Sequence, residues 1–185
     1  IPAFPGRASA PPAQAPGRPR SHRTDDLVVT TDGLTKTYGD FHAVDHVDLR
    51  VPHGGIYGFL GPNGAGKSTT MKLLLGLTRP TSGSMSVLGR PVSQRHPLPP
   101  GTIGSFIEGP SYYPSLTGKE NLAMVASYLG LASNRVQHAL ATVNLVGQEN
   151  KQVKHYSMGM KQRLGLAMAL LSNPALMLLD EPTNH

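Results

Sequence analysis

Residues 61–69, with the sequence GPNGAGKST, constrain the fold of this chain more than any other segment. They fit the pattern G-x-x-x-x-G-K-[ST], in which a glycine-rich turn opens a helix. Glycines let backbone N–H groups converge on phosphate oxygens, and the helix N-terminus adds a partial positive charge. A short apolar run (55–60) precedes the turn, and apolar residues at helical spacing follow it over 67–77. The pattern therefore predicts a strand, a phosphate-binding loop and a helix in succession.

The motif also predicts a role for its individual residues. Lys67 would reach the β- and γ-phosphates of a nucleotide, Ser68 would ligate Mg²⁺, and Thr69 could bond a phosphate. The residues expected to contact the nucleotide here are Gly61, Pro62, Asn63, Gly64, Ala65, Gly66, Lys67, Ser68 and Thr69.

A second segment, ALMLLDE at 175–181, complements this loop. It is a uniformly apolar run that ends in carboxylates, which is typical of a buried parallel strand. Asp180 could hold Mg²⁺ through its water, opposite Ser68. Glu181 could orient or deprotonate a water for in-line attack on the γ-phosphate, so Glu181 and Lys67 are the candidate catalytic residues.

The rest of the chain predicts an α/β fold. Alternating runs at 27–39 and 41–51, and short runs at 83–89 and 102–109, indicate strands. Helix-start signals follow at Thr117, where Glu120 completes a capping box, and at Ser133 and Ser157. We expect an α/β core with a helical insert over about 109–172, together forming one domain over 24–185.

Residues 1–23 contain six of the 17 prolines, so we expect them to be disordered. Their arginines weakly resemble a transit peptide, but the prolines disfavour the amphipathic helix that such a peptide needs. A dispensable extension is the simpler interpretation.

Composition excludes several classes of protein. The formal net charge is +6, but four arginines precede the first acid, which disfavours a nucleic-acid-binding face on the folded part. The chain has no cysteine, so disulfide scaffolds and thiol nucleophiles are excluded. It has no apolar run of membrane-spanning length, so we expect it to reach a membrane only through a partner.

A metal site is one interpretation of His42, Asp45 and His46, with His53 nearby. Their spacing would need a helix to bring the side chains together, whereas this stretch reads as strand. We expect exposed loop and edge histidines.

Residues 156–163, YSMGMKQR, stand at a helix start just before the apolar run that ends in Asp180. They are similar to the signature L-S-G-G-Q of ABC transporters. Together with GPNGAGKST and LMLLDEPTN, they make residues 27–184 resemble the nucleotide-binding subunit of such a transporter. The resemblance implies a P-loop NTPase core with an antiparallel β subdomain and a helical insert subdomain. It also implies ATP and Mg²⁺ as cofactors, and ATP hydrolysis as the activity.

The resemblance assigns further residues and partners. Tyr38 matches the aromatic that stacks on adenine, and Ser157 and Gly159 match groups that contact the γ-phosphate bound by the other subunit of a head-to-tail dimer. That subunit would be a second copy or a related ATPase. A separate transmembrane permease is the other implied partner, with the chain on the cytoplasmic face of the cell membrane and no nucleic acid involved.

Three departures from the family pattern stand out. Glu108 occupies a place where the family usually has a glutamine that touches Mg²⁺, and this change, with GPSYYPSLTGKENL after it, resembles the branch that exports bacitracin and lantibiotic-type peptides. Met158 and Met160 replace the Gly and Gln of the signature. We also expect the cassette to be incomplete at its C-terminus, before the family's D-loop and switch histidine, because His185 is too early to be that histidine.

Two other functions remain open at this point. One is a soluble ABC ATPase that acts on ribosomes or DNA, although such proteins usually carry tandem cassettes or a long coiled-coil insertion. The other is a truncated cassette that binds nucleotide without turnover.

Overall fold

The computed structural model describes residues 26–107, 109 and 111–180. The predicted tail over 1–23, and the candidate residues Glu108 and Glu181, lie outside the described residues. The first sheet is antiparallel, with the strand order β2-β1-β3-β4. Its strands are β1 Leu27–Tyr38, β2 Phe41–Pro52, β3 Ser82–Val87 and β4 Arg90–Pro91.

The β1–β2 hairpin follows from its local sequence. Gly39 and Asp40 form the turn, and Gly39 adopts a left-handed φ of 58°, which suits glycine. Tyr38 and Phe41 pair directly across the turn. Buried apolar residues such as Val29 and Val44 lie on the covered side of the hairpin. The strands predicted in this region are confirmed, and Arg90–Pro91 forms a further short strand that was not among the predicted ones.

The run at 55–60 is not a strand, so this part of the prediction is wrong. Residues 56–62 have no regular secondary structure, and the side chains of Ile56 and Leu60 are exposed. A strand needs the backbone groups of a neighbouring strand as hydrogen-bond partners, and none of the described strands pairs with this run. The helix after the loop is present as α1, Lys67–Leu74.

The second sheet has two parallel strands, β5 Ile103–Phe106 and β6 Leu176–Leu179. The predicted parallel arrangement of the apolar run before Asp180 is therefore confirmed. The strand is only half-buried, however, because within the described residues β5 covers one of its edges.

Three helices lie between these strands: α2 Gly118–Tyr128, α3 Asn134–Thr142 and α4 Met158–Leu170. The capping box at Thr117 is formed, since its hydroxyl accepts from the Glu120 N–H and the Glu120 carboxylate accepts from the Thr117 N–H. The backbone N–H and the hydroxyl of Thr117 both donate to the Glu120 carboxylate, and these two bonds lower the pKa of Glu120. Ser157 caps α4 as predicted, whereas the Ser133 side chain makes no capping bond.

The apolar core has two parts. The helical cluster joins α2, α3 and α4, and its fully buried side chains are Leu122, Leu140, Leu145, Val153, Leu164, Ala167 and Leu171. The sheet cluster joins the antiparallel sheet to α1 and the parallel strands, and its most buried members are Val29, Leu34, Leu73 and Val87. The predicted helical insert thus forms a packed unit, while its exact limits stay a prediction.

An apolar groove of about 860 Å³ lies between the run at 55–59 and the edge of β6. Ile56 and Phe59 line one side, and Leu176 and Leu178 line the other. None of the described helices is long and apolar enough to cross a membrane.

Candidate nucleotide site

The loop before α1 has the backbone conformation that its glycines allow. Gly64 and Gly66 have φ values of 83° and 80°, in the left-handed region. Gly66 also has no room for a side chain, because a Cβ there would lie 2.1 Å from the carbonyl oxygen of Ala43 on β2. The loop is therefore packed directly against the antiparallel sheet. Residues 61–65 are exposed and residues 66–69 are half-buried, so the loop faces solvent at its tip.

Lys67, the first residue of α1, folds back over this loop. Its Nζ donates to the carbonyl oxygens of Gly61 at 2.9 Å and Pro62 at 3.1 Å. The ammonium thus lies over the backbone turn that the motif predicts to surround phosphate. At the other side of the turn, Thr70 is buried and its hydroxyl donates to the Gly66 carbonyl, which fixes the start of the helix.

Ser68 and Asp180 meet although 112 residues separate them. The Ser68 hydroxyl donates to the Asp180 carboxylate. The backbone N–H of Asp180 donates to the Phe106 carbonyl at 2.8 Å, which continues the β5–β6 ladder to the carboxylate. The fold therefore brings a hydroxyl and a carboxylate oxygen to one point at the N-terminus of α1. Oxygen donors of this kind suit a hard cation such as Mg²⁺.

Tyr38 lies at the end of the hairpin, with its ring about half-exposed. The Nζ of Lys36 stands 4.6 Å from the centre of this ring. The second strand of the hairpin carries Ala43, the residue that touches Gly66 of the loop. The aromatic side chain and the loop are thus parts of one packed assembly.

Ser157 and Gly159 lie elsewhere, at the start of α4. The Ser157 hydroxyl accepts from the Met160 N–H at 3.3 Å, which confirms that Ser157 caps the helix. Ser157, Met158 and Gly159 are all exposed, so this helix start is accessible to another molecule. Met158 fills the signature position next to the cap without covering Ser157 or Gly159.

The described histidines do not assemble a metal site. His46 pairs with Asp45 at 2.6 Å, whereas the His42 ring is 3.9 Å from the same carboxylate. Over the residues that the structure describes, no group of three or more His, Cys, Asp or Glu side chains could hold an ion.

Sequence reasoning missed one residue beside this site and one buried polar residue in the helical insert. Lys36 was not singled out, although strand alternation places it on the same side of β1 as Tyr38. Asn121 was also missed. It is completely buried in α2, and its side chain bonds both backbone groups of Tyr113 and the Thr117 carbonyl. Its partners lie only four and eight residues earlier in the chain, but the capping box at Thr117 does not indicate these further bonds.

Comparison with known proteins defines the class. Residues 44–184 match the family model described as ABC transporter. The chain therefore belongs to the ABC transporter family, and its fold is that of an ABC ATPase cassette.

Named relatives show which members of this family the chain is similar to. The chain is 46% identical to the bacitracin transport ATP-binding protein BcrA of Bacillus licheniformis, over 85% of this chain and 52% of the relative. It is 43% identical to the lantibiotic transport ATP-binding protein SrtF of Streptococcus pyogenes, over 82% of this chain and 65% of the relative. The chain thus spans about half to two thirds of the length of these curated relatives.

A solved structure supports the same class. A dimeric ATP-binding cassette in a post-hydrolysis state, bound to ADP and Pi, superposes with a TM-score of 0.73 at 26% identity. The match covers 84% of this chain and 74% of that chain. The resemblance stated from the sequence, and the fold that it implied, are confirmed.

Proposed function

We propose that the chain is part of an ATP-binding and ATP-hydrolysing subunit of an ABC exporter. The observation that carries this proposal is the hydrogen bond between Ser68 and Asp180. It joins the phosphate loop to the end of β6, which is the arrangement that an Mg²⁺-nucleotide needs.

The candidate site residues then have the following roles in the proposed reaction. The loop N–H groups and Lys67 bind the phosphates and hold the γ-phosphate in place. Ser68 and Asp180 would hold Mg²⁺, which when bound neutralises charge on the phosphate oxygens. Tyr38 stacks on the adenine. The part assigned to Glu181, which is to orient the attacking water, follows from its position next to Asp180.

The proposed ATPase partner follows from the residues that are exposed at the start of α4. Ser157 and Gly159 face solvent at a capped helix start, where N–H groups and a hydroxyl can bind an anion. We assign them to the γ-phosphate held by a second ATPase subunit, in a head-to-tail dimer. A transmembrane permease would bind the helical insert on the cytoplasmic face of the membrane.

The cargo that we propose is a peptide antibiotic or a similar compound. Two relatives are named for bacitracin and lantibiotic transport. Glu108, which we place near Mg²⁺, is the residue that suggested this branch from the sequence. Tandem cassettes are absent from the described residues, and no observation favours an action on ribosomes or DNA.

The first test is Lys67→Ala, measured by equilibrium binding of ATP in the presence of Mg²⁺. Loss of a charge-assisted contact to phosphate should weaken ATP binding about 10- to 100-fold. Lys119→Ala, which removes an exposed lysine of α2, is the matched control and should bind ATP normally. Equal ATP affinity in Lys67→Ala and the control would overturn the proposal, provided that circular dichroism shows both variants folded.

A further inference from the structure

The end of the β1–β2 hairpin carries more than the one aromatic that the family resemblance identified. Phe41 is 63% exposed and Tyr38 is 52% exposed, and the two residues pair directly across the turn. Side chains of a directly paired couple leave the same face of a hairpin, with their Cβ atoms about 5 Å apart. Two large apolar rings therefore stand side by side in solvent.

Lys36 occupies one side of this pair. Its Nζ is 4.6 Å from the centre of the Tyr38 ring, within the range of a cation–π contact. The same Nζ donates to the Arg79 carbonyl at 2.9 Å, so the ammonium is held by backbone as well as by the ring. Lys36 thus covers one face of Tyr38 and fixes the orientation of the ring.

The strand beneath these side chains is held firmly by the segment 79–81. The Thr37 N–H donates to the Thr81 hydroxyl at 2.9 Å, and the Thr81 N–H donates to the Thr35 carbonyl at 2.8 Å. The rings are therefore exposed on a rigid strand and not on a mobile loop.

The end of the hairpin also lies close to the phosphate loop. Ala43, whose carbonyl oxygen would be 2.1 Å from a Cβ on Gly66, is two residues from Phe41. Two residues of strand span about 7 Å. The exposed rings and the phosphate loop are thus fixed at a short distance from each other by backbone contact.

We propose that Lys36 and Phe41 are base-positioning residues that complete a base platform with Tyr38. Lys36 holds the Tyr38 ring from one side and leaves its other face to a nucleobase, while Phe41 extends the apolar surface beside it. This inference rests on the proposed function, because it assumes that the loop binds the phosphates of the same nucleotide. It deepens that function by assigning two residues to recognition of the base.

The test compares ATP with inorganic tripolyphosphate, which has the phosphates but no base. Binding of both ligands to the full chain is measured in Mg²⁺ by titration calorimetry. Phe41→Ala should weaken ATP binding about fivefold and Lys36→Met about threefold, whereas tripolyphosphate binding should not change. Phe41→Tyr and Lys36→Arg, which keep the ring and the cation, should restore ATP affinity.

Tyr128→Ala is the matched control, since it removes an exposed aromatic residue from α2. The inference is overturned if Phe41→Ala and Lys36→Met bind ATP as tightly as this control. It is also overturned if they lose affinity for tripolyphosphate and ATP equally, because that result would show a structural role. If the unsubstituted chain binds neither ligand, the proposed function fails and the inference fails with it.

Discussion

The helical cluster and the parallel-strand region, which comprises β5, β6 and the facing run at 55–60, both contain many apolar residues but differ in burial. In the helical cluster, side chains such as Leu140 and Leu164 are completely buried. In the parallel-strand region, all four residues of β6 are half-buried and Ile56 is fully exposed. A groove of about 860 Å³ separates Ile56 from β6.

The difference shows what each kind of structure needs from its surroundings. Within a helix most backbone groups bond to one another, so three helices can cover one another within a short stretch of sequence. A strand depends on a neighbour for its hydrogen bonds. The run at 55–60 has the composition of a strand, yet it lacks a paired strand among the described residues and stays irregular. Apolar composition alone therefore does not decide burial.

The largest effect on stability should come from shortening a buried side chain of the helical cluster. Leu164→Ala removes a completely buried side chain of α4 and leaves a cavity among α2, α3 and α4. We expect the free energy of unfolding to fall by about 2–5 kcal/mol. Urea denaturation followed by circular dichroism measures this change. A loss below about 1 kcal/mol would show that the cluster is loosely packed and would remove the contrast between the two regions.

A smaller effect on stability should come from substituting Tyr156, which joins the starts of α2 and α4. Its hydroxyl donates to the Gln148 carbonyl at 2.8 Å and leaves no room for a Cβ on Gly118. Burial, with a contribution from Glu149, raises the pKa of Tyr156. Tyr156→Phe should lower stability by about 1 kcal/mol at neutral pH.

The pH dependence of the stability difference between the unsubstituted chain and Tyr156→Phe tests the raised pKa of Tyr156. Because the pKa is raised in the folded state, the neutral phenol stabilises the fold fully below about pH 10, and this contribution is lost as the pH rises further. The stability gap between the unsubstituted chain and Tyr156→Phe should therefore narrow above about pH 10. A gap that stays constant from pH 7 to pH 11 would contradict the assigned pKa shift.

The smallest effect should come from Ile56→Ala on the exposed side of the groove. The substitution removes as many carbon atoms as Leu164→Ala does, but the side chain is already in solvent. We expect a change within about 0.5 kcal/mol in the free energy of unfolding. A loss above about 2 kcal/mol, independent of protein concentration, would mean that the 185-residue chain buries Ile56 and that the contrast is wrong.

Local signals in the sequence predicted most of the fold. The loop before α1, the capping box at Thr117 and the cap at Ser157 depend on residues close in the chain, and the structure confirms all three. The meeting of Ser68 with Asp180 was predictable because the two motifs have known chemistry.

Other features depended on partners far along the chain, and two candidate site residues lie outside the described residues. The strand at 55–60 was predicted wrongly because its formation depends on a neighbour and not on its own composition. The contact of Lys36 with the Arg79 carbonyl depends on a segment 43 residues away, so no local pattern predicts it. Glu108 and Glu181 remain predictions, since they lie outside the described residues.

Asn121 has a consequence for how the helical insert opens. Its carboxamide offers Tyr113 one acceptor and one donor, which is what a neighbouring peptide group would offer. The side chain is completely buried, and its third bond ends on the Thr117 carbonyl at 2.9 Å. We therefore expect the loop before α2 and the first turn of that helix to open as one unit in hydrogen exchange. The amide proton of Tyr113 should then exchange with solvent on the same timescale as the amide protons at the start of α2.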